Sequence, residues 1–442
     1  MTVTADHVDV IAKHWGIRAF RPLQLEAIEA GLAGRDSFVV MPTGGGKSLC
    51  FQAPALMRDG LTVVVCPLIS LMIDQVVGLV KRGVPAAYLN CKQHPDEVDR
   101  IHRDARQGRI KLLYVSAERC MEPAFLRLLE RCNVCAFVID EAHCVSQWGH
   151  DFRPAYRELG ALTAMFPEAS LHAFTASATP DIREEIIASL KLRDPVVLVG
   201  NFDRPNLTYR VEPRTDLDSQ LFVFLRDRPD ASGIIYCTTR AETDRIADML
   251  RDRDINAKAY HAGCDDDLRH DVQEWFMDSG PTSAQPSDLQ PSNLESAIFQ
   301  PSTIPQRIVV ATIAFGMGID RPDVRFVIHA AMPPSIECYH QETGRAGRDG
   351  KPAECVLFYD PTDVDTWCER IANQQLPDDT ESSKLADAVV MNDYCDNAGM
   401  CRHRRICEYF GQAWQNDPAG CYSDGLCNAC DFCFARANGS RR

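Results

Sequence analysis

SFVVMPTGGGKSLCFQ, residues 37–52, decides how this chain is read. The apolar run Phe38–Met41 reads as a buried strand. Pro42-Thr43-Gly44-Gly45-Gly46-Lys47-Ser48 follows, and a helix is expected from Leu49. Strand, glycine loop, Lys-Ser and helix is the order that a phosphate cradle needs. Thr43, Gly44 and Gly46 lie where backbone N–H groups can close on phosphate oxygens, and the helix N-terminus adds a favourable dipole. Lys47 would pair with the β- and γ-phosphates, and the Ser48 hydroxyl would sit on Mg²⁺. The loop departs from the strict pattern, because Met41 or Pro42 stands where its first glycine would be. The rival reading is a glycine-rich turn between a strand and a helix.

Further buried strands are expected at Leu61–Cys66, Ile110–Val115, Val134–Ile139 and Leu171–Thr175, with a helix over Asp181–Lys191 and an exit at Val196–Gly200. The fourth strand of this unit runs into Asp140-Glu141-Ala142-His143. Two carboxylates at an apolar strand end are costly unless a cation or donor meets them. Ligands sit at such ends in open α/β sheets. Asp140 can therefore hold Mg²⁺ through water, and Glu141 can orient and deprotonate an attacking water. Upstream, Arg21 and Gln24 open a helix, Gln24–Ala30; Gln24 can read the N6/N7 edge of adenine and Arg21 can stack or reach phosphate. In Cys144–Leu159, Trp148, Phe152 and Tyr156 are interleaved with His150, Arg153 and Arg157. That mixture suits stacking of bases with Arg on phosphate, against the rival of a packed loop with aromatic anchors.

A second alternating unit starts near Asn201, with strands expected at Gly233–Cys237, Ala257–Tyr260, Arg307–Ala311, Val324–His329 and Glu354–Tyr359. Residues 278–306 interrupt it with Ser, Pro and Gln, and read as a disordered surface insertion. Tyr339–Gly350 supplies Arg345 and Arg348 in a glycine-rich turn, able to reach a γ-phosphate from a neighbouring domain. Near the end, Cys427, Cys430 and Cys433 can wrap one face of a tetrahedral ion. Cys401, Cys407 and Cys421 are candidates for the fourth ligand of a structural Zn²⁺.

The 442 residues suffice for two or three domains with real cores. Net charge is −15, which argues against a broadly basic nucleic-acid binder but leaves room for a local basic groove. Of the 19 cysteines, twelve lie between Cys50 and Cys368 and seven from Cys395 onward. Those inside apolar runs, such as Cys66, Cys135, Cys237 and Cys355, read as small buried hydrophobes; the terminal cluster points to metal in a reducing compartment. No apolar stretch is long enough to span a bilayer, and the acidic start MTVTADHVDV is not a secretory signal, so the expected location is cytoplasmic, on the nucleoid in a bacterium.

Taken in order, FRPLQLEAI, MPTGGGKSLCFQ, VVCPLISLMIDQV, YVSAER, DEAHCVSQWGHDFRPAYREL, FTASATP, IIYCTTR, AYHAG, VVATIAFGMGIDRPDVRFVIH, YHQETGRAGRDG, CRHRRICEYFG and CNACDFC closely resemble the RecQ family of superfamily 2 DNA helicases. The resemblance implies an α/β fold of two tandem RecA-like parallel-sheet domains, residues 1–200 and 201–360, followed by a small helical zinc-binding module over 361–442. It implies ATP in the cleft and 3′→5′ unwinding of DNA in repair or recombination. Single-stranded and 3′-tailed or forked duplex DNA are the implied substrates, with no membrane and with repair or single-strand-binding proteins as the class of protein partner. By position, Lys47, Ser48, Asp140 and Glu141 would form the hydrolytic centre, and Arg21 and Gln24 would read adenine. His143 and Gln341 would couple the lobes, with Arg345 and Arg348 as arginine fingers. Trp148, Phe152 and Arg153 would couple DNA to hydrolysis, and Cys401 would join Cys427, Cys430 and Cys433 on zinc. Three departures stand out: Ile17 where the family has an aromatic ring on adenine, the insertion, and a chain that stops after the zinc module, before a winged helix. The last makes a DNA-stimulated ATPase without processive unwinding the alternative expectation. The zinc module disfavours an RNA helicase.

Overall fold

The computed structural model describes residues 2–146, 152–278, 306–316, 321–396, 399–414, 427 and 429–437. Trp148, Cys421 and nearly all of the insertion lie outside the described residues. Two parallel sheets carry the fold. The first contains β1 (Ser37–Val40), β2 (Leu61–Val65), β3 (Ala86–Leu89), β4 (Leu112–Val115), β5 (Val134–Ile139), β6 (Ser170–Thr175) and β7 (Val196–Val199), in the order β3-β4-β2-β5-β6-β1-β7. The second contains β8 (Leu207–Pro213), β9 (Gly233–Tyr236), β10 (Ala257–Tyr260), β11 (Ile308–Ala311), β12 (Phe326–His329) and β13 (Ala353–Tyr359), in the order β10-β11-β9-β12-β13-β8.

The central strands are mostly apolar because helices cover both faces. Successive side chains alternate between two cores: Phe38, Val40, Val63, Val65, Phe137 and Ile139 face one, and Val39, Met41, Val64, Cys66, Val138 and Phe174 the other. Cys66, Cys135, Cys237 and Cys355 are buried, as expected for small hydrophobes. Two strands were not foreseen, β3 and β8. Both are edge strands with partly exposed side chains, so neither carries a continuous apolar run. The stretch expected to lead out of the first unit is its edge strand β7, paired with β1.

Helix ends move by a residue or two for local reasons. The helix after the glycine loop begins at Lys47, not Leu49, because Gly46 takes φ +83° as its N-cap. The helix expected over Asp181–Lys191 is Pro180–Ser189, and Lys191 has turned to φ +52°. The insertion leaves and returns at one point: the Arg307 guanidinium meets the Asp278 carboxylate at 3.0 Å and donates to the Trp275 and Asp278 carbonyls. Beyond β13, helices Asp363–Ala372, Asp378–Asp396, Arg402–Tyr409 and Asp431–Ala437 close the fold. They seal the β8 edge, where Tyr209 N donates to Ala429 O at 2.9 Å and Val211 N to Asp431 Oδ2 at 3.2 Å. They also touch the first lobe, where Arg183 Nη2 donates to Phe410 O.

Candidate nucleotide cleft and cysteine centre

Neighbouring strands β5, β6 and β1 deliver the first lobe's site residues to one edge, with Val40 beside Thr175 and Ile139 beside Ala173. After β1 the chain turns at Gly44 (φ +81°) and Gly46 (φ +83°), conformations an L-residue rarely adopts. Arg21 and Gln24 are brought onto this loop. Gln24 Nε2 donates to Gly46 O at 3.2 Å and Gly45 O at 3.4 Å, Arg21 N donates to Gln24 Oε1 at 2.8 Å, and Arg21 Nη1 donates to Gly44 O. Lys47 Nζ reaches back to Met41 O at 3.3 Å, and Ser48 lies in the first turn of the helix that Lys47 starts. Ile17 packs against the N-terminal cluster around Ile11 and Ile28.

At the end of β5, Asp140 is buried and its carboxylate accepts from Glu141 N at 3.0 Å. Burial, and then Glu141, push the Asp140 carboxyl up to about 7, while Lys47 pulls it down. A buried carboxyl beside a half-buried one, with Lys47 near, is a donor set suited to a divalent cation. Glu141 sits at φ +49°, a left-handed conformation that is uncommon for a residue with a side chain. From it a polar chain crosses the lobes. His143 Nδ1 lies 3.4 Å from Glu141 Oε2 and 2.9 Å from Thr175 Oγ1. Thr175 Oγ1 donates to Ser177 O at 3.1 Å, and Gln341 Nε2 of the second lobe donates to Ser177 Oγ at 3.4 Å.

Gln341 belongs to the helix Ile336–Thr343, which the Ser335 hydroxyl caps by accepting from Cys338 N at 3.2 Å. The turn after this helix lies against the glycine loop. A Cβ on Gly44 would stand 3.2 Å from the Arg348 stem, and one on Gly344 would stand 3.1 Å from Thr43 Cβ. Arg345 is 6% exposed, and its guanidinium would meet a Cβ on Gly316 at 3.3 Å. Arg348 is thus stacked over the loop, whereas Arg345 is turned into the second lobe. Of the aromatic-loop residues, Phe152 has the Arg157 guanidinium 5.7 Å from its ring, and Arg153 Nη1 donates to Pro67 O at 2.7 Å.

The sulfurs of Cys401, Cys427, Cys430 and Cys433 all lie within 4.8 Å of one another, and all four residues are buried. Cys430 Sγ is 3.3 Å from Cys427 Sγ and 3.9 Å from Cys401 Sγ. A tetrahedron with Zn–S bonds near 2.3 Å has edges of about 3.8 Å, so the cluster fits zinc. Backbone N–H groups of Ala429, Cys433 and Cys427 point at the sulfurs of Cys427, Cys430 and Cys433, each at 3.4 Å, which favours thiolates. Cys407 is buried but is not part of the cluster, and Cys421 lies outside the described residues, so Cys401 supplies the fourth sulfur.

Sequence reasoning missed two residues that hold this site. Asp36, just before β1, accepts from Leu171 N at 2.9 Å and Arg193 N at 2.8 Å. Arg204, between the sheets, bonds to carbonyls of both lobes. The Arg-Pro pair at 204–205 marks a stiff segment, but no local signal names its partners.

Residues 21–186 match the DEAD/DEAH box helicase family, 286–350 the helicase conserved C-terminal domain and 361–434 the RecQ zinc-binding family. The chain is 42% identical over 427 residues to the ATP-dependent DNA helicase RecQ of Pasteurella multocida, covering 97% of this chain and 62% of that protein. It is 38% identical over 421 residues to the Bacillus subtilis protein of the same name, covering 95% and 66%. It is 37% identical over 442 residues to the ATP-dependent DNA helicase Q1 of Mus musculus, covering 97% and 63%. The chain therefore spans just under two thirds of the length of these relatives. Among solved structures, the DEAD-box helicase Mss116 bound to ssRNA and UDP-BeF superposes with a TM-score of 0.64 at 14% identity, covering 92% of this chain and 86% of that one. The Mycobacterium smegmatis helicase Lhr bound to ssDNA and AMP-PNP gives 0.57 at 20%, covering 81% and 48%. These likenesses establish two RecA-like lobes and nothing finer. With the family matches in order along the chain and this identity over almost all of it, the chain belongs to the RecQ helicase family.

Proposed function

We propose that this chain hydrolyses ATP to move 3′→5′ along one DNA strand and to separate duplex ahead of it, in repair or recombination. The observation that carries the reading is the seam between the lobes: the turn bearing Arg345 and Arg348 lies directly on the glycine loop. A nucleotide held by that loop would lie beside Arg348, and Arg345 would have to turn out of the second lobe to reach it. Thr43, Gly44 and Gly46 would offer backbone N–H groups, Lys47 would neutralise phosphate, and Arg21 and Gln24 would face the base. Ser48 and Asp140 would hold Mg²⁺, which supplies charge neutralisation on the phosphate oxygens. Glu141 would orient the attacking water and take its proton. The arginine turn would meet charge that develops on the γ-phosphate, a contribution of about 10³–10⁵ in rate.

The chain Glu141–His143–Thr175–Ser177–Gln341 supports coupling of that chemistry to lobe movement. Trp148, Phe152 and Arg153, just downstream of His143, would report DNA to the same chain. Zinc on Cys401, Cys427, Cys430 and Cys433 would be structural, since four thiolates leave no open position. We divide the chain into lobes 1–200 and 201–360 and a zinc module 361–442. Among the described residues, no helix is long and apolar enough to cross a membrane.

The test is steady-state ATPase with and without single-stranded DNA, beside displacement of 3′-tailed and 5′-tailed duplexes. DNA-stimulated hydrolysis, displacement of the 3′-tailed substrate alone, and loss of both in Lys47→Ala are expected. Hydrolysis that persists in Lys47→Ala, or that ignores DNA, would overturn the reading. Stimulated hydrolysis without displacement would reduce it to a DNA-stimulated ATPase.

A further inference from the structure

Between β7 and β8 the chain crosses from one lobe to the other through Asn201–Asn206, and this short stretch is tied down on three sides. Phe202 is buried and stacked on Phe410 at 4.4 Å with the rings 10° apart, and its N–H donates to Gln412 Oε1 at 2.9 Å. Asp203 Oδ1 lies 2.7 Å from His403 Nδ1, two residues beyond the cysteine Cys401. Asn206 Nδ2 donates to Gly347 O and Lys351 O, each at 2.9 Å. Pro205 removes a donor and restricts the residue before it. The segment is a stiff strut, with Arg204 projecting from its middle.

The Arg204 guanidinium bonds to four main-chain carbonyls. Nη2 donates to Ala346 O at 3.0 Å and Gly347 O at 3.1 Å. Nη1 donates to Gly344 O at 3.4 Å and, across the lobes, to Thr43 O at 3.3 Å. One planar, permanently charged fork thus grips three carbonyls of the arginine turn and one of the glycine loop. The two nitrogens do different work. The shorter Nη2 bonds stay within the second lobe and hold the turn in shape. The longer Nη1 bonds straddle the seam, so the one to Thr43 would break if the lobes parted. Gly347 takes φ +55° where a Cβ would strike Lys351 O at 2.8 Å, so the turn is closely packed around its anchor.

We infer that Arg204 is a positioning residue for ATP hydrolysis: by clasping the Gly344–Gly347 carbonyls to Thr43 it sets how the turn that bears Arg345 and Arg348 is seated against the glycine loop. The inference rests on the reading under Proposed function. All four of these hydrogen bonds go to main-chain carbonyls, three of them in the arginine turn, so its effect passes through that turn. A lysine carries the charge but lacks the planar fork that serves both sides of the seam.

The full chain is assayed with ATP and saturating single-stranded DNA, as wild type, Arg204→Lys and Arg204→Ala, with nucleotide affinity read from a fluorescent ATP analogue. Displacing catalytic groups by about 1 Å lowers rates by about 10²-fold, so kcat is expected to fall by about that much in both variants while nucleotide Kd stays within about threefold. Guanidinium chloride at low millimolar concentration is expected to restore kcat in Arg204→Ala while the unfolding midpoint, close to that of the wild type without it, does not move; a merely structural role would move the two together. Unchanged kcat in Arg204→Lys with an active wild type overturns this inference alone. Loss of nucleotide affinity and of the unfolding midpoint in step with kcat, without rescue, also overturns it in favour of a folding role. Absence of hydrolysis in the wild type overturns the functional reading, and this inference with it.

Discussion

Replacing Asp36 by alanine is expected to cost the first lobe about 3 kcal/mol, a figure that follows from who touches the carboxylate. Asp36 is 3% exposed. Oδ1 accepts from the buried Leu171 N at 2.9 Å, and Oδ2 accepts from Arg193 N at 2.8 Å. The Arg193 guanidinium adds Nε to Oδ2 and Nη2 to Oδ1, both at 3.0 Å. The Asp36 carbonyl also accepts from Val196 N at 2.9 Å. One residue therefore pins the starts of β6 and β7 beside β1, the strand that carries the glycine loop. Arg193 is 44% exposed and rehydrates when its partner is lost, so the ion pair itself is worth only about 0–1 kcal/mol. The larger part is the two amides left without an acceptor, at about 1–3 kcal/mol for a buried one and less for the half-buried one. At about 2–4 °C per kcal/mol for a lobe of this size, the first-lobe transition should fall by about 6–12 °C in scanning calorimetry. Burial pushes the Asp36 carboxyl up, but the Arg193 and backbone hydrogen bonds outweigh it and leave the pKa below 3.8. The contribution is therefore complete above the unfolded value and fades as pH falls through the folded one. The gap between wild type and Asp36→Ala should be constant from neutral pH down to the carboxylate range and should close below it. A loss under about 1 kcal/mol, or a gap that stays open below the carboxylate range, would refute the reasoning.

Other outcomes follow from the cleft and the cysteine centre. Glu141→Gln keeps the side-chain size and the amide bond to Asp140, so ATP should still bind while single-turnover hydrolysis slows by about 10²–10⁴-fold; a near-normal rate counts against Glu141 as the base. Cys430→Ser should lower bound zinc by about one equivalent in a colorimetric release assay, and should loosen the β8 edge that Tyr209 shares with Cys430. Full zinc content in that variant would remove Cys430 from the ligand set. Ser177→Ala and Gln341→Ala should each weaken DNA stimulation, and their double mutant should fall short of additivity by about 0.5–3 kcal/mol, because one hydrogen bond links them. Additive effects would mean that the lobes communicate elsewhere.

Much of this protein was legible in the chain before any coordinates. Strands buried on both faces are mostly apolar, so β1, β2, β4, β5 and β6 announce themselves. A loop that folds on phosphate needs positive φ, and Gly44 and Gly46 stand where that need falls. The Asp140-Glu141 pair and the Cys427, Cys430 and Cys433 spacing are likewise local, because chemistry on one turn or one strand end is written in adjacent residues. Tertiary structure alone decided the rest. The edge strands β3 and β8 are strands by virtue of their neighbours, since half-exposed residues carry little pattern of their own. Spacing left Cys401, Cys407 and Cys421 open and only the family resemblance chose Cys401; packing supplies the reason, since the backbone turns its sulfur toward Cys430 and leaves that of Cys407 in the core. Asp36 reaches Arg193, and Arg204 joins Thr43 to Gly344, across sequence separations of 157, 161 and 140 residues. Bonds of that kind depend on how whole elements pack, and no local spacing records them.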